Sequence, residues 1–199
     1  MFAQRETYLT EAAGLLLDEK IMPAVVASGY AYDRPAFRIS VGWPKGSRSS
    51  KAVAQCFVRR VSGDSVSEIF VSPEIDSPIK VLDCVIHELI HAVDDCASGH
   101  RNFFARIARS IGLEGPFTAT YAGPELAEYL AQVAELLGDF PHHKMVLSES
   151  GKAPQTTRML KVACTNCGFH FRTSAQQVAR LDHASVCPAC DIPALSIPA

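Results

Sequence analysis

The chain of 199 residues has no long apolar run near its N-terminus, and it has no internal repeat or low-complexity tract. The longest apolar run among the first twenty residues is "AAGLLL", which is too short for a signal-peptide core or a membrane span. We therefore expect a cytoplasmic protein. Hydrophobic residues at 48% and charged residues at 20% are typical of a chain with a folded core.

Acidic residues are absent from one internal stretch, between Arg34 and Arg60. This basic stretch contains seven cationic residues: Arg34, Arg38, Lys45, Arg48, Lys51, Arg59 and Arg60. A basic run alone is a weak indicator of nucleic-acid binding. A solvated face of strands and loops is the simpler interpretation, and a phosphate-binding surface is the alternative.

The seven cysteines do not suit a disulfide scaffold, because their number is odd and no export signal precedes them. Four of them form the pairs "CTNC" and "CPAC", Cys164 with Cys167 and Cys187 with Cys190, which enclose nineteen residues. This spacing is a zinc-ribbon signature, and four thiolates leave no open position on the metal. The pattern predicts a structural zinc, with two redox pairs as the alternative.

The remaining cysteines, Cys56, Cys84 and Cys96, are interpreted as small core or near-core residues.

Hydrophobic spacing predicts four helices before residue 140. The first covers 6–20 and ends before Pro23, and the second covers 79–97. The third follows "SGH" and ends at Gly112, and the fourth covers 124–137. On the second helix an apolar stripe faces the core, and the opposite face carries the histidines.

Alternation of apolar residues predicts strands in "FRISVGW", "AVAQCFVRRV" and "SEIFVSP", and the turn "SGDS" joins the last two as a hairpin. We expect a small, mainly antiparallel sheet. The strand "EIFVSP" is expected at the sheet edge above the cleft, where an extended peptide could add as a further strand.

The segment "HELIHAVDDCASGH" places His87 and His91 four residues apart on the second predicted helix, so that both imidazoles point the same way. Two such nitrogens suit one zinc ion. Glu88 lies about 100° around the helix from His87, within reach of a water molecule on the metal. The pattern predicts a hydrolytic zinc site with Glu88 as general base, and satisfied surface histidines are the alternative.

A catalytic zinc takes three protein ligands and keeps one open position. The candidates for the third ligand are His100, Asp94, Asp95, Glu114, Glu125 and Glu128. The sequence favours His100, because Ser98 and Gly99 break the helix and let the chain turn back. Tyr121, beyond the third helix, is a packed or surface tyrosine or else a donor to a developing oxyanion.

The segment "HELIHAV...GHRNFFARIARSIGL", preceded by "EIFVSP", resembles the SprT-like zinc metallopeptidases, which include the eukaryotic Spartan proteases, and most closely the short phage and bacterial members. Their pattern is HExxH, a spacer, and a histidine beside a glycine that is followed by a phenylalanine. The resemblance implies three zinc ligands at His87, His91 and His100 and a base at Glu88. It is specific from residue 69 to residue 113 and in the C-terminal cysteines, and general over 1–60.

The resemblance also implies a zincin-like fold and the cleavage of proteins, in the better-known members proteins bound or crosslinked to DNA. We accordingly predict an α+β protein with a SprT-like metallopeptidase domain over 1–140, a linker over 141–157 and a zinc ribbon over 158–199.

The predicted function is that of a zinc-dependent endopeptidase that acts on DNA-associated proteins, with one catalytic and one structural zinc. The alternative is a non-catalytic, zinc-stabilised module that binds nucleic acid or protein. In the ribbon, Phe169 and Phe171 alternate with His170 and Arg172. This alternation predicts weak binding of single-stranded DNA through base stacking, unless the phenylalanines form the ribbon's own small core.

Overall fold

The computed structural model describes residues 4–43, 52–146, 159–181 and 185–196. It divides into two compact units, Met1–Leu147 and Ser148–Ala199. Both helices and small sheets are present, so the chain belongs to the α+β class.

The first helix continues through the proline that was expected to end it. Helix α1 (Arg5–Leu16) is followed by a π-helical turn (Leu17–Ile21) and then by α2 (Met22–Ala27). The Met22 N–H bonds to the Leu17 carbonyl, which is the wide spacing of a π-turn. Because Pro23 lacks an N–H and crowds the carbonyl four residues earlier, the wide turn lets the chain continue as a helix.

The sheet of the first unit is mixed, and the expectation of a mainly antiparallel sheet is wrong. Its strands are β1 (Phe37–Val41), β2 (Ala54–Phe57) and β3 (Ser67–Val71), in the order β1-β3-β2. The predicted β2–β3 hairpin is confirmed as an antiparallel pair, but β1 lies parallel to β3. Residues 44–51, which complete the basic stretch, lie outside the described residues.

Strand β3 is central, although it was expected at the edge above the cleft. Strands flank it on both sides, and its residues Ser67, Ile69 and Val71, which share one face of the sheet, are fully buried. Strand β2 occupies the edge instead, and all four of its residues are half-buried.

Helix α3 (Pro78–Val93) supplies the centre of the core. Pro78 occupies its first turn, where a missing N–H removes no helical hydrogen bond. The predicted apolar stripe is confirmed by the fully buried side chains of Leu82, Val85, Ile86 and Leu89. The helix ends at Val93, four residues earlier than predicted.

Two further helices follow. Helix α4 (Asn102–Ser110) ends before Gly112, which has a φ of 90°, as the glycine there predicted. A two-residue hairpin of β4 (Leu113–Glu114) and β5 (Tyr121–Ala122) leads to α5 (Pro124–Leu137), which has the predicted bounds.

The first unit extends past residue 140. The Met145 N–H bonds to the Pro73 carbonyl at 2.7 Å, and His142 Nε2 lies 3.0 Å from the same oxygen. The described part of the predicted linker, residues 141–146, therefore packs on the loop that follows β3.

The described residues of the second unit form a three-stranded antiparallel sheet and one short helix. Its strands are β6 (Leu160–Cys164), β7 (His170–Thr173) and β8 (Leu195–Ser196), with β6 in the middle. The short helix α6 spans Ala175–Val178.

Candidate metal centres

Helix α3 carries the three predicted site residues His87, Glu88 and His91 on the face opposite its apolar stripe. Glu88 and His91 are each only 8% exposed, and His87 is half-buried. The predicted polar face is therefore the buried floor of a cleft.

The turn after α3 directs the third histidine toward the first two. The Cys96 N–H bonds to the His91 carbonyl at 2.7 Å and the Asp95 N–H to the Ala92 carbonyl at 3.4 Å, which are the two bonds of a Schellman motif. Asp95 and Cys96 both adopt positive φ, 54° and 58°. This reversal of the chain carries His100 back over α3.

The three histidines converge through their Nε2 atoms. His100 Nε2 lies 3.3 Å from His87 Nε2 and 3.2 Å from His91 Nε2. Ligands at about 2.0 to 2.1 Å from a tetrahedral zinc are separated by roughly 3.3 to 3.4 Å from one another. The arrangement therefore fits a single zinc ion with three histidine ligands.

A phenylalanine forms the support beneath all three imidazoles. The Phe104 ring of α4 stacks on His91 at a centroid distance of 4.4 Å, and it lies 4.7 Å from His87 and 5.1 Å from His100. Phe104 is fully buried. A rigid buried ring in contact with each ligand limits the rotation of the imidazoles.

Burial keeps the histidines neutral. Desolvation, with a smaller contribution from His100, lowers the pKa of His87 to about 4. Desolvation, followed by the charges of the other two histidines, lowers the pKa of His91 to about 3, and burial also lowers the pKa of His100. Neutral imidazoles at pH 7 offer free lone pairs to a metal.

Thr120 orients the first histidine. Its Oγ1 lies 2.7 Å from His87 Nδ1, the ring nitrogen that faces away from the convergence point. Such a partner selects the tautomer in which Nε2 is the acceptor. The sequence carried no signal for this role, because Thr120 lies in a loop between two-residue strands.

Glu88 lies beside the three histidines and is attached to the sheet edge. Its Oε2 accepts a 2.7 Å hydrogen bond from the main-chain N–H of Cys56 in β2. Burial raises the pKa of Glu88 to about 7, although the hydrogen bond from the Cys56 N–H lowers it. A carboxyl group with this pKa can both accept and donate a proton near neutral pH.

These groups line one cleft of about 640 Å³. One wall is formed by residues 52–56, which include most of β2, and another by residues 118–120. Its size is typical of a site that holds a small molecule or a few residues of a peptide.

The other candidates for the third zinc ligand have different roles in the structure. Asp94 Oδ2 accepts a bond from the Ser98 N–H at 2.9 Å, and Asp95 Oδ1 accepts one from the Arg59 N–H at 2.7 Å. Both carboxylates thus hold the turn.

Glu114, Glu125 and Glu128 are exposed, and the described residues that line the cleft do not include them. Tyr121 is 53% exposed, and its ring lies against Gly115.

A second group of potential ligands occupies the second unit. The four predicted cysteines come together, with Sγ separations of 3.8 Å for Cys164 and Cys190 and 3.7 Å for Cys167 and Cys187. Sulfur ligands at about 2.3 Å from a tetrahedral zinc are separated by roughly 3.8 Å. The Cys167 N–H is the main cause that lowers the pKa of Cys164 to about 7, which favours a thiolate.

Each cysteine pair is followed by a residue with positive φ, Gly168 at 77° and Asp191 at 53°. These residues turn the chain tightly, so that both sulfurs of a pair face the same point. Apart from the cysteines, the buried hydrophobic side chains in the described part of this unit are Val162, fully buried, and Val178, 7% exposed. A metal held by the four cysteines would add a constraint to a core of this size.

Acidic partners neutralise much of the described basic stretch. Arg34 pairs with Asp18, Arg38 with Asp64 and Glu68, and Arg59 with Asp95. These ion pairs favour the interpretation of the stretch as a solvated face.

Comparisons of the chain with protein-family models, with curated proteins and with solved structures found no match. Within the described residues, no helix is both long and apolar enough to cross a membrane.

Proposed function

We propose that this protein is a zinc-dependent endopeptidase of the SprT-like type. The observation that carries the proposal is the convergence of three histidine Nε2 atoms beside the buried carboxyl group of Glu88 in one cleft. The pattern of the segment from His87 to Phe104, which resembles that family, supports the same conclusion.

Each group of the site has a separate role. His87, His91 and His100 would hold the zinc. When bound, the zinc would supply a Lewis acid that lowers the pKa of a water molecule and polarises a carbonyl group. Glu88, positioned by the Cys56 N–H, takes the proton of the attacking water at its carboxylate and gives it to the departing amine.

The substrate would lie along the edge strand. Residues 52–56, which include most of the edge strand β2, line the cleft, and an edge strand can pair with an extended peptide through main-chain hydrogen bonds. Pairing of this kind is independent of the substrate's side chains, so it supports a peptidase that accepts unfolded or extended segments of many proteins.

The decisive experiment compares Glu88→Gln with the unchanged protein. Zinc-loaded samples are tested for autocleavage, for cleavage of casein and for cleavage of a DNA-bound protein. Glu88→Gln is expected to lose activity by about 10²- to 10⁴-fold while it keeps its zinc, because a general base contributes about that much. Glu128→Gln, an exposed change on α5, is the matched control and is expected to retain full activity. Equal activity in all three proteins would disprove the role of Glu88.

A second candidate function is weak binding of single-stranded DNA by the second unit. Phe169 is 38% exposed, and its ring lies 6.2 Å from that of Phe171, which leaves an aromatic surface available for stacking. Binding should decrease steeply with salt. Arg172→Glu with Arg180→Glu should weaken it without unfolding the first unit, and no binding at low salt by the intact protein would refute it.

A further inference from the structure

One carboxyl group in the cleft has no part in the proposed chemistry. Asp83 lies on α3 four residues before His87, and it is half-buried and lines the cleft. Residues four apart share one face of a helix, and a rise of about 1.5 Å per residue separates them by about 6 Å along its axis. Asp83 therefore extends the row of His91 and His87 by one more helical turn.

The protein does not neutralise the Asp83 carboxylate. Its Oδ1 atom is buried and has no hydrogen-bond partner among the described residues, and no ion pair joins Asp83 to a cation in that part of the chain. Burial raises the pKa of Asp83, and the main-chain N–H of Ala122, which lowers it, does not offset this effect. A cation that entered from the cleft would stabilise the ionised carboxylate.

The cleft carries no permanent positive charge of its own. The described residues that line it include no lysine or arginine, and burial keeps its histidines neutral. Its acidic residues are Asp83 and Glu88. Because Glu88 already accepts the Cys56 N–H, Asp83 is the carboxyl group that remains to bind a cationic group of a ligand.

The walls of the cleft leave space for a long side chain. Residues 52–54 have the sequence Ala-Val-Ala and residues 118–120 the sequence Thr-Ala-Thr, so neither wall carries a large side chain there. The aliphatic stem of a lysine or arginine side chain packs on such a surface while its charged end reaches a carboxylate.

We propose that Asp83 is a specificity residue that binds the cationic end of a lysine or arginine side chain of the substrate. An extended peptide rises about 3.3 Å per residue, so the axial separation of Asp83 and His87 corresponds to about two substrate residues. The basic residue should therefore lie within about two residues of the cleaved bond. This inference rests on the peptidase activity proposed above, and it adds a choice among side chains to the main-chain pairing with β2.

The first experiment maps cleavage sites in casein by mass spectrometry. The full, zinc-loaded chain is compared with Asp83→Asn and with Asp139→Asn, which makes the same chemical change at an exposed residue outside the described lining of the cleft. In the unchanged protein and in Asp139→Asn, lysine and arginine should lie near the cleaved bonds more often than in casein as a whole. Asp83→Asn should lose this enrichment. No enrichment in the unchanged protein, or an equal one in Asp83→Asn, would overturn the proposal.

The second experiment isolates the contact in one substrate. A peptide with a mapped site next to a lysine is acetylated at its N-terminus and compared with an analogue in which norleucine replaces the lysine. The unchanged protein should favour the lysine peptide about tenfold in kcat/KM, which corresponds to one hydrogen bond between charged groups, and Asp83→Asn should lower the ratio to about one. If Asp83 only supported the fold, its replacement would reduce kcat/KM equally for both peptides and leave the ratio unchanged, and this result would refute the proposal.

Equilibrium binding gives a measure that does not depend on turnover. Zinc-loaded Glu88→Gln, which is expected not to cleave, should show the same preference for the lysine peptide by fluorescence anisotropy, and Asp83→Asn in that background should remove it. A protein that cleaves casein without a basic preference would refute only the role of Asp83. A protein that cleaves nothing would refute the proposed function, and the role of Asp83 with it.

Discussion

The Cys56 main-chain N–H donates a 2.7 Å hydrogen bond to Oε2 of Glu88, and it thereby joins the edge of the sheet to the floor of the cleft. One hydrogen bond does not offset the burial of this carboxyl group, whose pKa is raised to about 7. Burial of the ionised Glu88 carboxylate thus lowers the stability of the folded protein, and the size of this effect depends on pH.

The first prediction concerns the stability of the metal-free protein. Because the folded pKa of Glu88 exceeds its ordinary value of 4.5, the folded state binds the extra proton between pH 4.5 and about pH 7. As the pH rises from 4.5 to about 7, the free energy of unfolding should therefore decrease by about 3 kcal/mol from Glu88 alone, at roughly 1.4 kcal/mol per pH unit.

The histidines act in the opposite direction. The folded pKa values of His87 and His91 lie below 6.5, so their contribution weakens stability as pH falls below 6.5. Urea denaturation of the metal-free protein and of Glu88→Gln across pH 4 to 8 separates the two effects, since only the Glu88 contribution differs. Parallel stability curves for the two proteins would contradict the prediction.

The second prediction concerns the metal content. Elemental analysis should find two zinc ions per chain, because two separate groups of ligands have tetrahedral spacing. His87→Ala with His91→Ala should leave one zinc, and Cys164→Ser with Cys187→Ser should also leave one. If the histidine variant still binds two ions, the cleft is not a zinc site.

The third prediction concerns Thr120. Thr120→Val keeps the shape of the side chain but removes the partner of His87 Nδ1, and the affinity for zinc should fall about 10- to 100-fold. Thr120→Ser restores a hydroxyl group and should restore most of the affinity. Thr118→Val, in the same cleft wall, is the control. Competition with a fluorescent chelator measures all three, and an unchanged affinity in Thr120→Val would exclude an orienting role.

The fourth prediction concerns Phe104. Phe104→Ala should lower the free energy of unfolding by about 3 to 5 kcal/mol, because it leaves a cavity in the core. Phe104→Leu should fold but bind zinc more weakly, since the flat surface under the imidazoles is lost.

Phe103→Leu on the same helix is the matched control for zinc binding, because Phe103 packs on Tyr30 and Tyr32 instead of the histidines. Calorimetric titration with zinc compares the two leucine variants, and equal affinities would show that Phe104 has no role beyond the core.

Local patterns predicted the parts of the fold that depend on neighbouring residues. The position of α3 was predicted from its 3.6-residue spacing, and that of α5 from Pro124 and Gly138 at its ends. The helix break at Ser98 and Gly99 indicated His100 as the third histidine. Residues that lie close in sequence and share one helix face or one turn leave such a signal.

Contacts between distant segments left no such signal. The parallel pairing of β1 with β3 makes β3 central, and the Cys56 N–H bond to Glu88 spans 32 residues. The contact between Thr120 and His87 spans 33 residues. The π-turn before Pro23 escaped prediction for another reason, because the rule that proline ends a helix assumes regular α-helical geometry.

The proposed binding of a peptide substrate requires the outer edge of β2 to remain open, and an open edge also invites pairing with another copy of the same chain. Its four residues offer too little length for a stable sheet between molecules, and one of its N–H groups is already bonded to Glu88. A short edge of this kind can receive a peptide that other contacts hold in the cleft, while it limits the self-association that would remove the protein from solution.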